Sequence, residues 1–336
     1  MTTSYQLAVI GSGAAGREAA ILAARNGLRV VLIEQNGLGG TSFHRGYYAV
    51  RAFRACAEKS RKSSRVTPPN PPSGQELLDW LSTRAQVTAR LVRELQRTLD
   101  RAGIDIRFGR GSLLDANTIR IESDSARTDL IRADYIIIAT GSRPRLDGKG
   151  LGPQSLGVDA TPFVRVDEHL RTSLPHVFAI GDVNGLGSMD SLAVAQARIA
   201  VATILGKGTQ YAPRWLPKCV YTNPIVASVG WTEEEAGRAG MAAITYSDSF
   251  LIVTEDERSV LEPIRLMLKI LVDSESRQIL GLHAIGPHAA ELVNAAALAI
   301  RSGITIDQLS EIIFVHPSPI EAIQSFSSRL RSLRDG

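Results

Sequence analysis

Hydrophobic and polar positions at the start of the chain follow a strand–helix–strand pattern. Residues 5–10 form a short apolar run, and residues 14–26 are alanine-rich with the apolar spacing of a helix. Residues 29–34 are a second apolar run, which ends in Glu34. This order predicts a β-α-β unit and places the N-terminal part of the chain in the α/β fold class.

The rest of the N-terminal half alternates between helices and short strands. Helices are predicted over residues 48–63 and 75–102, and the proline-rich residues 68–72 form a loop between them. The other predicted elements are strands over 104–108, 118–121, 135–139 and 178–182, a Gly- and Pro-rich linker over 141–153, and a helix over 191–205.

A change of composition between residues 206 and 217, towards Gly, Pro and polar residues, predicts a domain boundary. Beyond it strands and helices are mixed, which is typical of an α+β module. The predicted elements there are strands over 227–229, 267–272 and 279–285 and helices over 291–301 and 306–312. We therefore expect two domains, residues 1–210 and residues 211–336.

Composition narrows the class of protein. The chain has 336 residues, 44% of them hydrophobic, which is enough for packed cores. The formal charge of +4 fits an ordinary surface, with tolerance for acidic partners as the alternative. No apolar run reaches the roughly 18 residues that span a bilayer, and no signal-like segment precedes the first strand, so we expect a cytoplasmic protein without membrane association. We predict neither a metal site nor a nucleic-acid partner.

The cysteine content also bears on the cellular compartment of the protein. Two cysteines, Cys56 and Cys219, exclude a disulfide framework and fit a reducing compartment. We interpret both as small buried residues.

A glycine motif lies where the first strand meets the first helix. Gly11 permits a tight turn, Gly13 lets the backbone approach a pyrophosphate, and Gly16 allows the helix to pack closely on the strand. The helix N-terminus at Ala14 offers amide donors to phosphates, and Glu34 follows at the distance expected of a ribose acceptor. The combination predicts a dinucleotide site, and the alternative is a Gly-rich turn without a ligand.

Further motifs extend along nearly the whole chain. Two strands end in tight glycine turns, at residues 136–141 and 179–182, in the order typical of flavoproteins with two dinucleotide-binding domains. The other motifs on which the comparison with a known family rests are residues 166–173, 221–230, 281–287 and 316–321. In these motifs the chain resembles the pyridine nucleotide–disulfide oxidoreductases, the family of dihydrolipoamide dehydrogenase, glutathione reductase and mercuric reductase.

The resemblance implies a Rossmann-like FAD-binding domain followed by a dimerisation domain, and therefore a homodimer with shared active sites. The residues it assigns to FAD are Gly11, Gly13, Ala14 and Gly16 at the pyrophosphate, Glu34 at the adenosine ribose, Asp182 at the ribityl–phosphate side, and Gly40, Thr41, Thr140 and Gly141 along the cofactor. Arg51 lies where the family has a lysine near the reactive edge of the flavin.

The chain departs from the family in two respects. The family has an NAD(P)-binding domain between the two glycine-turn strands, but only residues 142–165 separate them here, too few for a domain of about 100 residues. The family also has two redox cysteines. Ser42 and Tyr47 occupy their places in this chain, and these two side chains cannot form a disulfide. Tyr47 either lies against the flavin, shielding it or donating a hydrogen bond, or fills the volume that a cysteine left.

One catalytic element of the family is retained. His316, with Glu321 five residues later, matches the family's acid–base histidine and the carboxylate that orients it. The alternative is a histidine kept for the dimer interface. His44 is a second candidate for a catalytic histidine, and the alternative is a histidine in a solvated turn.

Three functions remain open from the sequence. The leading hypothesis is an FAD-dependent oxidoreductase that uses neither a redox disulfide nor a dedicated NAD(P)H domain, and acts on a small molecule or a partner protein. The second is an electron-transfer subunit whose helical stripe of Arg51, Arg54, Arg61 and Arg65 docks an acidic redox partner, although such a stripe is commonly a solvated face. The third is a structural or sensory flavoprotein without catalysis.

Overall fold

The computed structural model describes residues 3–46, 48, 50, 74–123, 128–141, 163–208, 210, 216–252, 264–316 and 318–332. The chain folds as two compact units, Met1–Tyr211 and Ala212–Gly336. We refer to them as unit 1 and unit 2. No helix of the described residues combines the length and the hydropathy needed to cross a membrane.

Unit 1 is built on a seven-stranded mixed sheet. Its strands are β1 (Thr3–Ile10), β2 (Val30–Glu34), β3 (Asp105–Phe108), β4 (Arg110–Leu113), β5 (Thr118–Glu122), β6 (Thr128–Ile138) and β7 (Val177–Ala179). The strand order is β3-β2-β1-β6-β5-β4, with β7 also paired to β6. β1, β2, β3, β6 and β7 pair in parallel, whereas β4, β5 and the first half of β6 form an antiparallel meander.

The central strands are continuous apolar runs because both of their faces are covered. Leu7 and Val9 of β1 face one core, which holds the helices α1 (Ala14–Arg25), α3 (Gly74–Arg101) and α4 (Asp190–Ile204). Ala8 and Ile10 face the second core, beneath the antiparallel meander. This architecture is the Rossmann-like α/β fold expected from the sequence.

The helices of unit 1 meet through small residues. α1 and α4 pack together with buried alanines on both sides, including Ala19 and Ala23 on α1 and Ala197 and Ala200 on α4. A short helix, α2 (Gly40–His44), follows β2, and a 3-10 helix (Gly181–Asn184) follows β7. The helix expected over residues 48–63 lies almost entirely outside the described residues.

Unit 2 is built on a five-stranded antiparallel sheet, one face of which packs against helices. Its strands are β8 (Lys218–Val220), β9 (Val226–Gly230), β10 (Ala243–Ile252), β11 (Ile264–Asp273) and β12 (Ile279–Ile285), in the order β10-β11-β12-β9-β8. Its helices are α5 (Glu233–Arg238), α6 (Ala289–Arg301), α7 (Ile306–Glu311) and α8 (Glu321–Ser332). Alternate residues of β11, such as Leu266 and Leu268, are buried in a core with α6, α7 and α8. Unit 2 is therefore the α+β module expected from the sequence.

Several elements differ from the sequence expectation. The strand expected over 178–182 is β7 at 177–179 followed by the 3-10 helix, because Gly181 adopts a positive φ of 76° that ends the strand. The strand expected over 135–139 is the second half of the longer β6. Six helices and strands of the described residues were not expected, namely β4, β8, β10, α2, α5 and α8, and neither was the 3-10 helix.

Candidate functional site: the glycine cradle and the His316–Glu321 pair

The glycine motifs of unit 1 lie at one edge of its sheet. β1, β2, β6 and β7 pair in parallel, so the segments after their carboxyl ends lie side by side. The amide of Gly11 donates to the carbonyl of Ile33 at 2.8 Å, and the amide of Ile180 donates to that of Ile138 at 3.0 Å. This edge is where open α/β sheets bind their ligands.

Two glycines of the motif are required by packing. A Cβ on Gly11, where φ is +102°, would lie 2.4 Å from the carbonyl oxygen of Ala139. A Cβ on Gly16 would lie 1.8 Å from the carbonyl oxygen of Gly11. Both positions therefore exclude any side chain, and they bring α1 close to β1 and to the turn after β6.

Gly13 is different because packing does not require it. A Cβ placed on Gly13 meets no atom within 4 Å, and its φ of −62° is open to any residue. Gly13 is the N-cap of α1, and no side chain caps this helix end. The result is an open space beside a helix N-terminus, which suits a phosphate group. We call the segment Gly11–Gly16 with this space the glycine cradle.

Glu34 ties the glycine cradle to the loop after β2. Its buried carboxylate accepts hydrogen bonds at Oε2 from the amide of Ser12 (2.8 Å) and from its hydroxyl (2.6 Å). Its Oε1 accepts from the amides of Asn36 (2.9 Å) and Gly37 (3.4 Å). The hydroxyl of Ser12 in turn accepts from the amide of Gly39 at 3.0 Å. Sequence reasoning did not single out Ser12, and its place between two glycines of the motif was the available signal.

The short helix α2 packs on the cradle. A Cβ on Gly40 would lie 2.8 Å from the Cα of Gly13, so Gly40 and the exposed Thr41 stand next to the open space. Ser42 is buried, and its hydroxyl donates to Oδ1 of Asp190 at 2.6 Å. Asp190 is the first residue of α4.

Side chains outside α2 hold it in place. The hydroxyl of Thr88 on α3 donates to the carbonyl of Phe43 at 3.1 Å, and the guanidinium of Arg84 donates to the carbonyl of His44. The Nε2 of His44 lies 3.0 Å from the carbonyl of Leu38. The half-buried His44 ring therefore contacts the loop before α2, whereas the sequence alternative was a histidine in a solvated turn.

The opposite wall of the edge follows β6 and β7. Thr140 is exposed, and a Cβ on Gly141 would meet nothing within 4 Å. Asp182 lies in the 3-10 helix after β7 and is partly exposed. The buried Gln196 holds this turn, because its Oε1 accepts from the amide of Gly181 (2.6 Å) and from Nδ2 of Asn184 (2.9 Å). Gln196 and Asn184 were not identified from the sequence, where they carry no motif.

Some of the sequence candidates lie outside the described residues. These are Tyr47, Arg51, Cys56 and the rest of the proposed basic stripe, together with most of the segment 142–165. Cys219 is partly buried in β8, and burial raises the pKa of its thiol. A thiol with a raised pKa is a poor nucleophile at neutral pH.

Unit 2 contains the histidine–carboxylate pair. The Nδ1 of His316 lies 2.9 Å from Oε1 of Glu321, and Oε2 of Glu321 accepts from the amide of Ser318 at 2.7 Å. These bonds, first that from Ser318 and then that from His316, lower the pKa of Glu321. A carboxylate acceptor fixes the proton of the neutral ring on Nδ1, which leaves Nε2 as the acceptor. The side chain of His316 is 83% exposed, so this nitrogen is open to a proton donor.

An exposed apolar segment precedes His316. Ile313 and Val315 are 91% and 80% exposed, and Leu298 on α6 is 73% exposed. Contact with another molecule would remove these apolar side chains from water. We call Ile313 and Val315 the apolar segment.

Comparisons with known proteins match both units. The family profile described as Pyridine nucleotide-disulphide oxidoreductase matches residues 5–156, and the profile for the dimerisation domain of the same family matches residues 216–326. The chain is 32% identical over 239 residues to a dihydrolipoyl dehydrogenase from Chlorobaculum tepidum, covering 68% of this chain and 50% of that protein. It is 29% identical over 241 residues to the corresponding protein from Pseudomonas aeruginosa, covering 71% of this chain and 51% of that protein.

The fold has a match among solved structures. The crystal structure of LpdA from Mycobacterium tuberculosis has a TM-score of 0.83 at 20% sequence identity, and the match covers 98% of this chain and 100% of that chain. At this identity the likeness shows the fold. The chain spans about half the length of the curated relatives it matches. By these matches, the chain belongs to the FAD-dependent pyridine nucleotide-disulphide oxidoreductase family.

Proposed function

We propose that this protein is an FAD-binding oxidoreductase that works without a redox disulfide and without a dedicated NAD(P)H-binding domain. The open glycine cradle is the observation that carries the proposal. It combines a helix N-terminus without a side-chain cap, a glycine that packing does not require, and space beside that glycine. When bound, FAD supplies an acceptor and donor of two electrons.

Residues 1–210 form the FAD-binding domain in this proposal. Gly11, Gly13, Ala14 and Gly16 surround the pyrophosphate, and Gly40, Thr41, Thr140 and Gly141 line the cofactor beside them. Asp182 stands at the ribityl–phosphate side. Oε1 of Glu34 accepts a hydrogen bond from a ribose hydroxyl. This bond replaces the one from the Gly37 amide, which is long, at 3.4 Å, and therefore weak.

Two features support chemistry without a dithiol. Ser42 occupies the place of a family cysteine, and its hydroxyl is bound to Asp190. Tyr47 occupies the second place in the sequence. A dithiol relay needs a thiolate that attacks a disulfide, and neither side chain supplies one.

The short connection between β6 and β7 supports the loss of the nicotinamide domain. β6 ends at Ile138 and β7 begins at Val177, and the two strands are neighbours in one sheet. The residues between them are too few for a separate domain, which is typically 50 residues or more. A reductant therefore reaches the flavin directly, either as a small molecule or from a partner protein.

Residues 211–336 form the dimerisation domain of a homodimer in this proposal. The exposed apolar segment supports a contact with a second copy. His316 accepts or donates a proton at Nε2 for the substrate bound in the partner protomer, and Glu321 holds the ring through Nδ1. Arg51 contributes positive charge near the flavin.

An anaerobic titration tests the proposed reductant access. NADH or NADPH is added to the purified protein in separate titrations while the visible flavin absorption is followed. The proposal predicts bleaching of the flavin by direct hydride transfer, at a rate that rises linearly with nucleotide concentration because no built site saturates. A rate that saturates at low nucleotide concentration contradicts the absence of a dedicated site.

A thiol count tests the absence of a redox disulfide. The chain has two cysteines, so the denatured protein should show two thiols both before and after reduction of the flavin. The variant Cys219→Ser should show one thiol in both states and retain wild-type flavin reduction. New thiols that appear only after reduction would show that a disulfide takes part.

A further inference from the structure

The hydrogen bond between Ser42 and Asp190 joins two distant parts of unit 1. Ser42 is 8% exposed and lies on α2, whereas Asp190 is exposed and begins α4. The hydroxyl donates to Oδ1 at 2.6 Å, a short bond typical of a hydroxyl and a carboxylate.

The pair stands between the two walls of the proposed flavin site. α2 begins at Gly40, which packs against Gly13 of the glycine cradle. α4 follows the turn that carries Asp182, and Ala193 on α4 lies near Gly181 in that turn. The Ser42–Asp190 bond therefore joins the wall that begins at Gly40 to the wall that carries Asp182.

The Ser42–Asp190 pair also places a charge between the two walls of the proposed flavin site. Asp190 lies in the first turn of α4, where the helix dipole favours a carboxylate. Among the ion pairs of the described residues, none involves Asp190. The proton of Ser42 is committed to Asp190, so the pair presents oxygen lone pairs and a negative charge to its surroundings.

We propose that Ser42 and Asp190 are a positioning pair that lowers the reduction potential of the bound flavin. The inference rests on the proposed FAD site. Reduction adds two electrons to the flavin, and a fixed carboxylate nearby disfavours the added negative charge. Ser42 acts through Asp190 by holding the carboxylate in place, in the position where the family has a thiol.

A potential measurement on three variants tests the pair. Asp190→Asn keeps an oxygen acceptor for Ser42 and removes the charge, while Asp190→Glu keeps the charge. Asp134→Asn is the matched control, because it removes the charge of an exposed carboxylate on β6. Each protein is equilibrated anaerobically with FAD and a reference dye, which exchanges two electrons with the flavin, and both absorption spectra are read.

The expected result is a raised potential for Asp190→Asn alone. At a fixed solution potential, the ratio of reduced to oxidised flavin in Asp190→Asn should rise about tenfold. This corresponds to a shift of about 30 mV in the reduction potential of a two-electron couple. Asp190→Glu and Asp134→Asn should stay near the wild type. Equal potentials for Asp190→Asn and Asp134→Asn, both with flavin bound, overturn the inference and leave the proposed function intact.

A second variant covers the case in which Asp190→Asn does not fold. Ser42→Ala removes the hydrogen bond that holds the carboxylate in place, so the flavin potential should rise by a smaller amount, about threefold in the same ratio of reduced to oxidised flavin. A wild-type potential in Ser42→Ala then overturns the inference. A wild-type protein that binds no FAD overturns both the inference and the proposed function.

Discussion

At the scale of the residue, the three glycines of the cradle have different physical roles. Gly11 and Gly16 are needed because backbone atoms approach within the radius of a Cβ, whereas Gly13 leaves space that the protein itself does not fill. A single motif thus contains two glycines that packing requires and one that it does not require. Substitutions at these positions should therefore separate stability from binding.

Ser12 is the residue on which the cradle's internal bonding depends. It is fully buried, donates twice to Glu34 and accepts from Gly39. Ser12→Ala removes the hydroxyl bond to a carboxylate and leaves the Gly39 amide without its acceptor. We expect the free energy of unfolding to fall by about 2 kcal/mol. Urea unfolding measures it, with the exposed Ser4→Ala as the control. A loss equal to that of the control would contradict this role.

The Glu321 carboxylate gives a pH dependence whose sign follows from its pKa. The native pKa lies below the ordinary value of 4.5, so the carboxylate stabilises the fold above that value. The contribution is lost as the pH falls through the native pKa. Glu321→Gln should therefore melt below the wild type at neutral pH, and the two melting temperatures should converge in acid. A constant difference across this range would show that the charge does not contribute.

Sequence reasoning identified the residues that local spacing encodes. The cradle glycines and the His316–Glu321 pair belong to short motifs, and the structure places His316 and Glu321 in hydrogen-bond contact. Ser12, Gln196 and Arg84 act through bonds to residues far away in the sequence. Such bonds depend on how elements pack. For Gln196 and Arg84 no local pattern indicates them, and for Ser12 the only signal is its place between two glycines of the motif.

At the scale of the element, predictions succeeded where an apolar pattern was continuous. The expected boundaries of β1, β2, α1 and α4 lie within two residues of the observed ones because these elements are buried and uninterrupted. β10 was missed because Thr, Ser and Asp residues interrupt its pattern. α8 was missed for a similar reason, since only Ala322, Ile323 and Phe326 of its described side chains are apolar and buried.

The packing of α1 on the strand turn depends on Gly16. An alanine there would place its Cβ 1.8 Å from the carbonyl oxygen of Gly11, so α1 must move away from β1. We expect Gly16→Ala to lower the free energy of unfolding by about 3 kcal/mol, measured by urea denaturation. Gly74→Ala, at an open position where α3 begins, is the control and should have little effect. Equal stabilities of the two variants would mean that α1 tolerates the added methyl group.

At the scale of the whole molecule, the exposed apolar segment makes the oligomeric state testable. A second copy of the chain would bury Ile313 and Val315, and an aspartate at 313 would place a charge in that contact. We expect Ile313→Asp to raise the dimer dissociation constant at least tenfold, about 1.4 kcal/mol.

Sedimentation velocity across a range of protein concentrations measures this effect. Leu114→Asp, at a 44% exposed position in unit 1, is the matched control and should sediment as the wild type does. A dimer that survives Ile313→Asp unchanged would place the contact elsewhere.

FAD binding to the glycine cradle is the central claim, and Gly13→Ala tests it most directly. The added methyl group meets no protein atom, so the fold should keep wild-type stability, while the space beside α1 is filled. We predict that apoprotein titrated with FAD, followed by flavin fluorescence, gives one site per chain in the wild type and in Gly74→Ala. In Gly13→Ala the dissociation constant should rise at least tenfold, about 1.4 kcal/mol. Equal FAD affinity in the three proteins, or no binding by the wild type, would contradict the account.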